Sequence, residues 1–295
     1  MSETPTAGRA VAPTTTPAPR DARRARWREP GLVLSVAWLA LLVVLALTAR
    51  LLPLPAPDEQ DLLNTLAWPG PGAWLGTDSL GRDTLSRLVH GGSVSLTVAV
   101  GSVAIGLLAG GALGLVAGFF GAWTDRLITG AMTVMLCFPG IVLAIALVSS
   151  LGPDLAHVTI AIGVIFVPAF ARIARANTLS LRHREFVLAA RVLGARAPRI
   201  LLREVLPNTM PALLSYAVVM LGVAILAEAA LGFLGLSVRP PQPSWGGMIA
   251  AERSNLTDAA HAVFVPAAWM TGTVLAINRI GESARRLFDV KAQAL

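Results

Sequence analysis

The chain of 295 residues is 55% hydrophobic and only 14% charged, with a mean hydropathy of +0.67, which excludes an ordinary soluble domain and implies a multi-span membrane protein. Its +7 net charge sits in short arginine clusters between uncharged runs, without interleaved aromatics. That excludes a nucleic-acid platform and makes the charge a record of topology. Cys137 is the only cysteine, so no internal disulfide can form, and no G-x-x-x-x-G-K-[ST] phosphate loop occurs, so the chain is not its own P-loop ATPase.

Residues 1–30, rich in Ala, Pro, Thr and Arg, lack an apolar face and are predicted to be a disordered basic cytoplasmic tail. The next 19 residues, 31–49, are uncharged and span about 28 Å as a helix, enough to cross a bilayer core. With a short margin, 31–52 is read as a retained first transmembrane helix, too long in its apolar region for a signal peptide. Residues 53–92 are expected to form an extracytoplasmic loop ending in an interfacial elbow helix. In it Asp78 or Asp83 serves as the cap, and Leu85, Leu88 and Val89 share one face. Asp78 and Asp83 beside Arg82 lack a histidine and make a poor metal site.

Uncharged runs at about 93–121, 127–151, 155–171, 209–234 and 259–278 predict five further spans. The fold class expected is therefore an all-α membrane protein of six transmembrane helices. Residues 93–280 form its five-helix core domain, and 281–295 a cytoplasmic C-terminal tail. Basic residues number six in 1–30, eight in 172–204 and four after residue 278, against three in 50–90. The positive-inside rule then places both termini in the cytoplasm. Gly106, Gly110, Gly114 and Gly118 put a small residue at every fourth position of the second span, a stripe suited to close helix packing. Pro139-Gly140 and Pro168 predict bends within the third and fourth spans. Four scattered histidines and no His/Cys/Asp/Glu cluster give no expectation of a metal.

The polar stretch 172–208 interrupts this pattern. Phe186, Ala189, Ala190 and Leu193 fall on one helical face, with Arg184, Glu185 and Arg191 elsewhere. Gly194 suits a left-handed cap, and Pro198 suits the first turn of a second helix. Such a hairpin is open to three uses: lying on anionic lipid, docking a partner, or packing beneath its own bundle. Glu228, the one acidic residue within a predicted span, either lines a path or joins neighbouring helices. Arg239, Pro241, Ser244 and Trp245 belong to a proline-stiffened outer loop. There Trp245 reads as an interfacial anchor or as part of a contact with an extracytoplasmic protein.

Ala189-Ala190, three residues, Gly194, then Leu206-Pro207 resembles the E-A-A-x-x-x-G-x(9)-I-x-L-P loop of binding-protein-dependent ABC importer permeases. Leu188 stands where that family has Glu, and Glu204 where it has Ile or His. The stretches LGTDSLGRDTLSRLVHGGSVSL at 75–96 and AILAEAALGFLGLSVRPPQPSWGGMI at 224–249 are similar to the C-type permease of dipeptide, oligopeptide and nickel importers. The resemblance runs from about residue 30 to 290.

It implies a type I ABC importer permease fold in the bacterial inner membrane. It also implies a homologous B-type permease partner, two cytoplasmic ATPases or one fused ATPase, and an extracytoplasmic substrate-binding protein. ATP and Mg would be held by the ATPases, with no cofactor on this chain and no nucleic-acid partner. The cargo implied is di- or oligopeptide, with nickel or another small solute as the alternative; from the residues alone an ion-coupled carrier also stays open. The coupling loop implied comprises Arg184, Glu185, Phe186, Leu188, Ala189, Ala190, Arg191, Gly194, Leu206 and Pro207.

Overall fold

The computed structural model describes residues 30–49 and 51–292, with side chains described as far as residue 285. The predicted N-terminal tail lies outside the described residues except for Pro30, the first residue of α1, Pro30–Thr48. A loop then leads to α2, Thr84–Ile105, which continues through a π-helical turn at Gly106–Gly110 into α3, Gly111–Phe120. The next two helices are α4, Ala122–Leu136, and α5, Gly140–Leu151. Helix α6, Leu155–Leu181, precedes the short α7, Glu185–Val192, and α8, Ala197–Ile200. A second π-helical turn, Leu201–Val205, joins α8 to α9, Leu206–Phe233. Helices α10, Trp245–Glu252, and α11, Ala260–Ala292, complete the chain.

Among the described residues five segments are long and apolar enough to cross a membrane as continuous helices: Pro30–Thr48, Thr84–Phe120, Leu155–Leu181, Ala197–Phe233 and Ala260–Arg285. The third predicted span, 127–151, is broken. Helices α4 and α5 meet at 85° across three residues, because Pro139 has no N–H to continue the ladder and disfavours helical backbone at Phe138 before it. A bend was expected here, but the structure has a corner. Pro168, by contrast, leaves α6 unbroken.

Three boundaries also move. The predicted fourth span ends at 171, yet α6 runs ten residues further to Leu181, because loss of hydropathy marks the edge of the apolar slab rather than the end of a helix. The C-terminal tail is helical from 281 to Ala292, as the end of α11. The elbow is no separate interfacial helix but the buried start of α2. Asp83 is its cap, accepting the N–H groups of Leu85 and Ser86 at 3.0 and 3.4 Å, and burial pushes that carboxyl up against those bonds. Arg87 is tolerated in the interior because Asp78 lies 3.3 Å from it and 2.7 Å from Arg82.

Helix α6 is central, packing on α2, α3, α4, α5 and α9. Its contact with α2 and α3 is where the glycine stripe lies. A Cβ on Gly110 would stand 2.4 Å from the Val167 carbonyl oxygen, and one on Gly114 2.2 Å from that of Ala171. The two backbones touch, so dispersion is gained over the full contact length. Helix α1 is peripheral, with its indole Trp38 donating to Thr273 Oγ1 at 3.2 Å and meeting Trp269 edge-on at 4.9 Å.

Gly114→Val is expected to force α3 off α6 and destabilise the bundle by about 1–3 kcal/mol, the usual cost of overpacking. Gly130→Ala, where an added Cβ meets nothing within 4 Å, should not. Thermal unfolding of the two variants in detergent checks the contrast.

Candidate functional site

The hairpin between α6 and α9 is held by its turn. Gly194 adopts φ +76°, and the N–H groups of Ala195 and Gly194 donate to the carbonyls of Ala190 and Arg191, each at 3.0 Å. This double closure ends α7 and points the chain back toward α8. Glu185 in the first turn and Arg191 in the last suit the helix dipole. Arg196 precedes α8 in extended backbone, with Pro198 in the first turn.

The second arm is not a separate helix. Ala197–Phe233 is helical throughout, 37 residues, or roughly 55 Å at 1.5 Å per residue. The π turn before Leu206 absorbs Pro207, whose missing N–H disturbs the ladder. The carbonyls of Glu204 and Val205 are taken up by Asn208 Nδ2 at 2.6 Å and Thr209 Oγ1 at 3.0 Å.

The face that anchors α7 differs from the one the periodicity suggested. Val187 is fully buried and Ala190 half-buried, while Phe186, Leu188 and Ala189 are exposed. Val192 and Leu193 are the barest, at 87% and 86% exposed. The helical period grouped Leu193 with Phe186, Ala189 and Ala190 without saying what that face meets, and it passed over Val187 and Val192. A helix this short carries two apolar stripes, and only its tertiary contacts choose between them. Arg191 turns back over the Phe119 ring, 5.5 Å from its centroid, whereas Arg184 and Glu185 stay exposed.

At the far end of α9, Glu228 is completely buried. Ser95 Oγ of α2 donates to its Oε2 at 2.9 Å, and Ser237 Oγ to its Oε1 at 2.6 Å. Ser237 returns to the carboxyl group because Gly235, at φ +74°, reverses the chain after α9. Ser95 Oγ also accepts the Trp245 N–H at 3.3 Å, and the Trp245 indole donates to the Leu88 carbonyl at 3.0 Å. The junction joins α2, α9 and α10. Neither serine was singled out from sequence, since nothing in the spacing links residues 95, 228 and 237.

Trp245 is therefore corrected. It is wholly buried, so it is neither an interfacial anchor nor an exposed contact; its N–H and ring are used inside the protein. Ser244 is also buried, capping α10 by accepting the Gly247 N–H at 3.2 Å. Arg239 and Pro241 are exposed, as are Pro240 and Gln242 between and beside them, and Arg239 Nε donates to the Pro153 carbonyl at 3.1 Å. Among the described residues no group of three His, Cys, Asp or Glu side chains is placed to hold a metal ion.

The helices of membrane-spanning length and the exposed hairpin define an integral membrane protein with a surface held outside its apolar segments. Residues 110–292 match the family described as binding-protein-dependent transport system inner membrane component, and the chain belongs to that family. It is 37% identical over 268 residues to a glutathione transport system permease protein of Pectobacterium atrosepticum, covering 90% of this chain and 89% of that one. A dipeptide transport system permease protein of Alkalihalophilus pseudofirmus is 38% identical over 276 residues, 91% of each chain. An Escherichia coli glutathione transport system permease protein is 39% identical over 268 residues, 90% of this chain and 88% of that one. In fold the chain resembles an inward-facing MetNI methionine ABC transporter structure, with a TM-score of 0.54 at 18% identity, covering 67% of this chain and 96% of that one.

Glu228→Ala is expected to leave Ser95 and Ser237 without their acceptor and to destabilise the protein by about 1–3 kcal/mol, the penalty for stranded buried polar groups. Glu228→Gln keeps one acceptor oxygen and should lose less. Thermal unfolding in detergent ranks wild type, Gln and Ala in that order; equal melting of all three would show that the junction holds nothing.

Proposed function

We propose that this chain is the C-type permease of an ATP-driven importer of short peptides, with the α7–α8 hairpin as the surface that meets a cytoplasmic ATPase. Both termini then lie in the cytoplasm, and the loop 53–83 faces outward. The observation that carries this reading is the hairpin's exposed apolar tip, Phe186, Leu188, Val192 and Leu193, mounted on a helix continuous with α9. An apolar tip held away from the bundle calls for a protein groove, and the closed Gly194 turn makes it stiff enough to transmit a push. Arg184 and Glu185 flank the tip as its polar rim.

Force applied there moves α8 and α9 together. Glu228 lies 22 residues beyond Leu206, roughly 33 Å along the helix, where its hydrogen bonds pass displacement to α2 and α10. This supports alternating access by tilting rather than by melting of a segment. Glu228 serves in that reading as a joint and not as a cargo ligand, since both carboxyl oxygens are taken by serine hydroxyls.

A homologous B-type permease completes the path, two ATPase subunits or one fused ATPase supply ATP and Mg, and an extracytoplasmic binding protein delivers cargo. The peptide assignment is supported by the relatives' names, glutathione and dipeptide permeases. Exposed Arg239 and Pro241 are the residues offered to the binding protein.

The test uses the complex purified through a tag on this chain and reconstituted in vesicles. No atom lies within 4 Å of a Cβ added at Gly194, so Gly194→Val acts through backbone strain of about 1–2 kcal/mol. It should abolish peptide uptake while ATP hydrolysis persists, and Gly194→Asn, which tolerates positive φ, should restore uptake. Wild-type uptake by Gly194→Val would overturn the lever. Val192→Asp with Leu193→Asp should release the ATPase on purification; intact co-purification would place the docking surface elsewhere.

A further inference from the structure

Helices α3, α4 and α6 enclose a cavity of about 270 Å³ that the transport reading does not use. Gly114 and Ala117 of α3, Ile128 and Met132 of α4, and Ala171 of α6 form an apolar wall, with Arg172 and Arg175 at the polar edge. The two arginines differ. Arg175 is paired with Asp125 of α4, Nη2 donating to Oδ2 at 2.7 Å. Arg172 is exposed and, among the described residues, has neither an ion pair nor a hydrogen bond. Asp125 is already engaged by Arg175 and Thr129, so the rim keeps an uncompensated positive charge.

Depth decides what that charge can meet. Residues 155–171 of α6 carry no charge, and Arg172 is the first ionised side chain after them, about 25 Å along the helix from Leu155. It therefore stands where hydrocarbon gives way to headgroups, nine residues before the hairpin side of α6 ends at Leu181. Met132 of the apolar wall packs against Val167 and Ala171, on the uncharged side of Arg172. An acyl chain matches the wall, and a phosphate at headgroup depth matches Arg172. A helix of another protein would have to bring an acidic residue to the same boundary.

We infer that this cavity is a binding site for an anionic phospholipid, its phosphate on Arg172 and an acyl chain against Ile128 and Met132. The lipid wedges α4 against α3 and α6, and so steadies the first half of the broken span. Assignment to the cytoplasmic leaflet rests on the topology proposed above; the chemistry of the site does not.

The complex, purified with its partner subunits, is exchanged into nanodiscs of phosphatidylcholine with phosphatidylglycerol, then extracted mildly for native mass spectrometry. Wild type should retain phosphatidylglycerol over phosphatidylcholine by about fivefold, the contribution of one basic residue at the membrane surface. Arg172→Gln should abolish that preference, and Ile128→Trp, which narrows the cavity but keeps the charge, should lower total retained lipid. Arg253→Gln, an exposed arginine just after α10 and away from the cavity, should behave as wild type. Undiminished preference in Arg172→Gln overturns the proposal. So does a photo-crosslinker at Met132 that captures another permease subunit or the peptide cargo instead of lipid. Because lipid retention is read without transport, a failed uptake assay leaves this result standing.

Discussion

The contact between the glycine stripe of α2–α3 and the middle of α6 sets the geometry on which the other elements depend. In an apolar solvent two helices gain little by hiding hydrocarbon from lipid, so they associate through close packing. At Gly110 and Gly114 the approach is near enough that a methyl group would overlap backbone oxygen. With α6 fixed in this way, α9 is seated against both α2 and α6, and α10 and α11 on α9 in turn. The π-helical turn at Gly106–Gly110 lies within the stripe, where the register of the helix face is adjusted to keep glycine toward Phe166 and Phe170.

The buried carboxylates Asp78, Glu228 and Glu252 are each held by side-chain partners. At the end of the bundle away from the hairpin, Asp78 holds Arg82 and Arg87, while Glu252 of α10 accepts from Ser79 Oγ at 2.7 Å. Glu228 collects Ser95 and Ser237. Together these groups tie the loop before α2 to α9 and α10 by charge-assisted bonds. The opposite end has a different character. Its hairpin offers bare apolar side chains on a short stiff arm, and α4 lies loosely across a cavity. One end is held by buried polar bonds, and the hairpin end leaves apolar side chains exposed.

Much of this was legible from the chain. Uncharged runs located the spans, and Gly194 and Pro198 located the hairpin's turn and its second arm. The four-residue glycine period announced the tight α3–α6 contact. The misplacements share a cause. Trp245 was read as external because its neighbours are prolines and an arginine, but Gly92 of α2 leaves room for its ring, with an added Cβ only 3.1 Å from it. The helical period grouped Leu193 with Phe186 but could not say which stripe of α7 meets the bundle, and the structure turns Val187 inward.

The sequence by itself determined the number of membrane-crossing runs, the family and the place of the hairpin. Those features rest on local quantities: hydropathy over about 20 residues, and the backbone preferences of Gly and Pro. The tertiary structure decided which side of α7 is bare, where the third span turns its corner, and that Ser95, Ser237 and Trp245 converge on Glu228. These depend on residues as much as 150 positions apart, brought together by helix packing that no local window of the chain encodes.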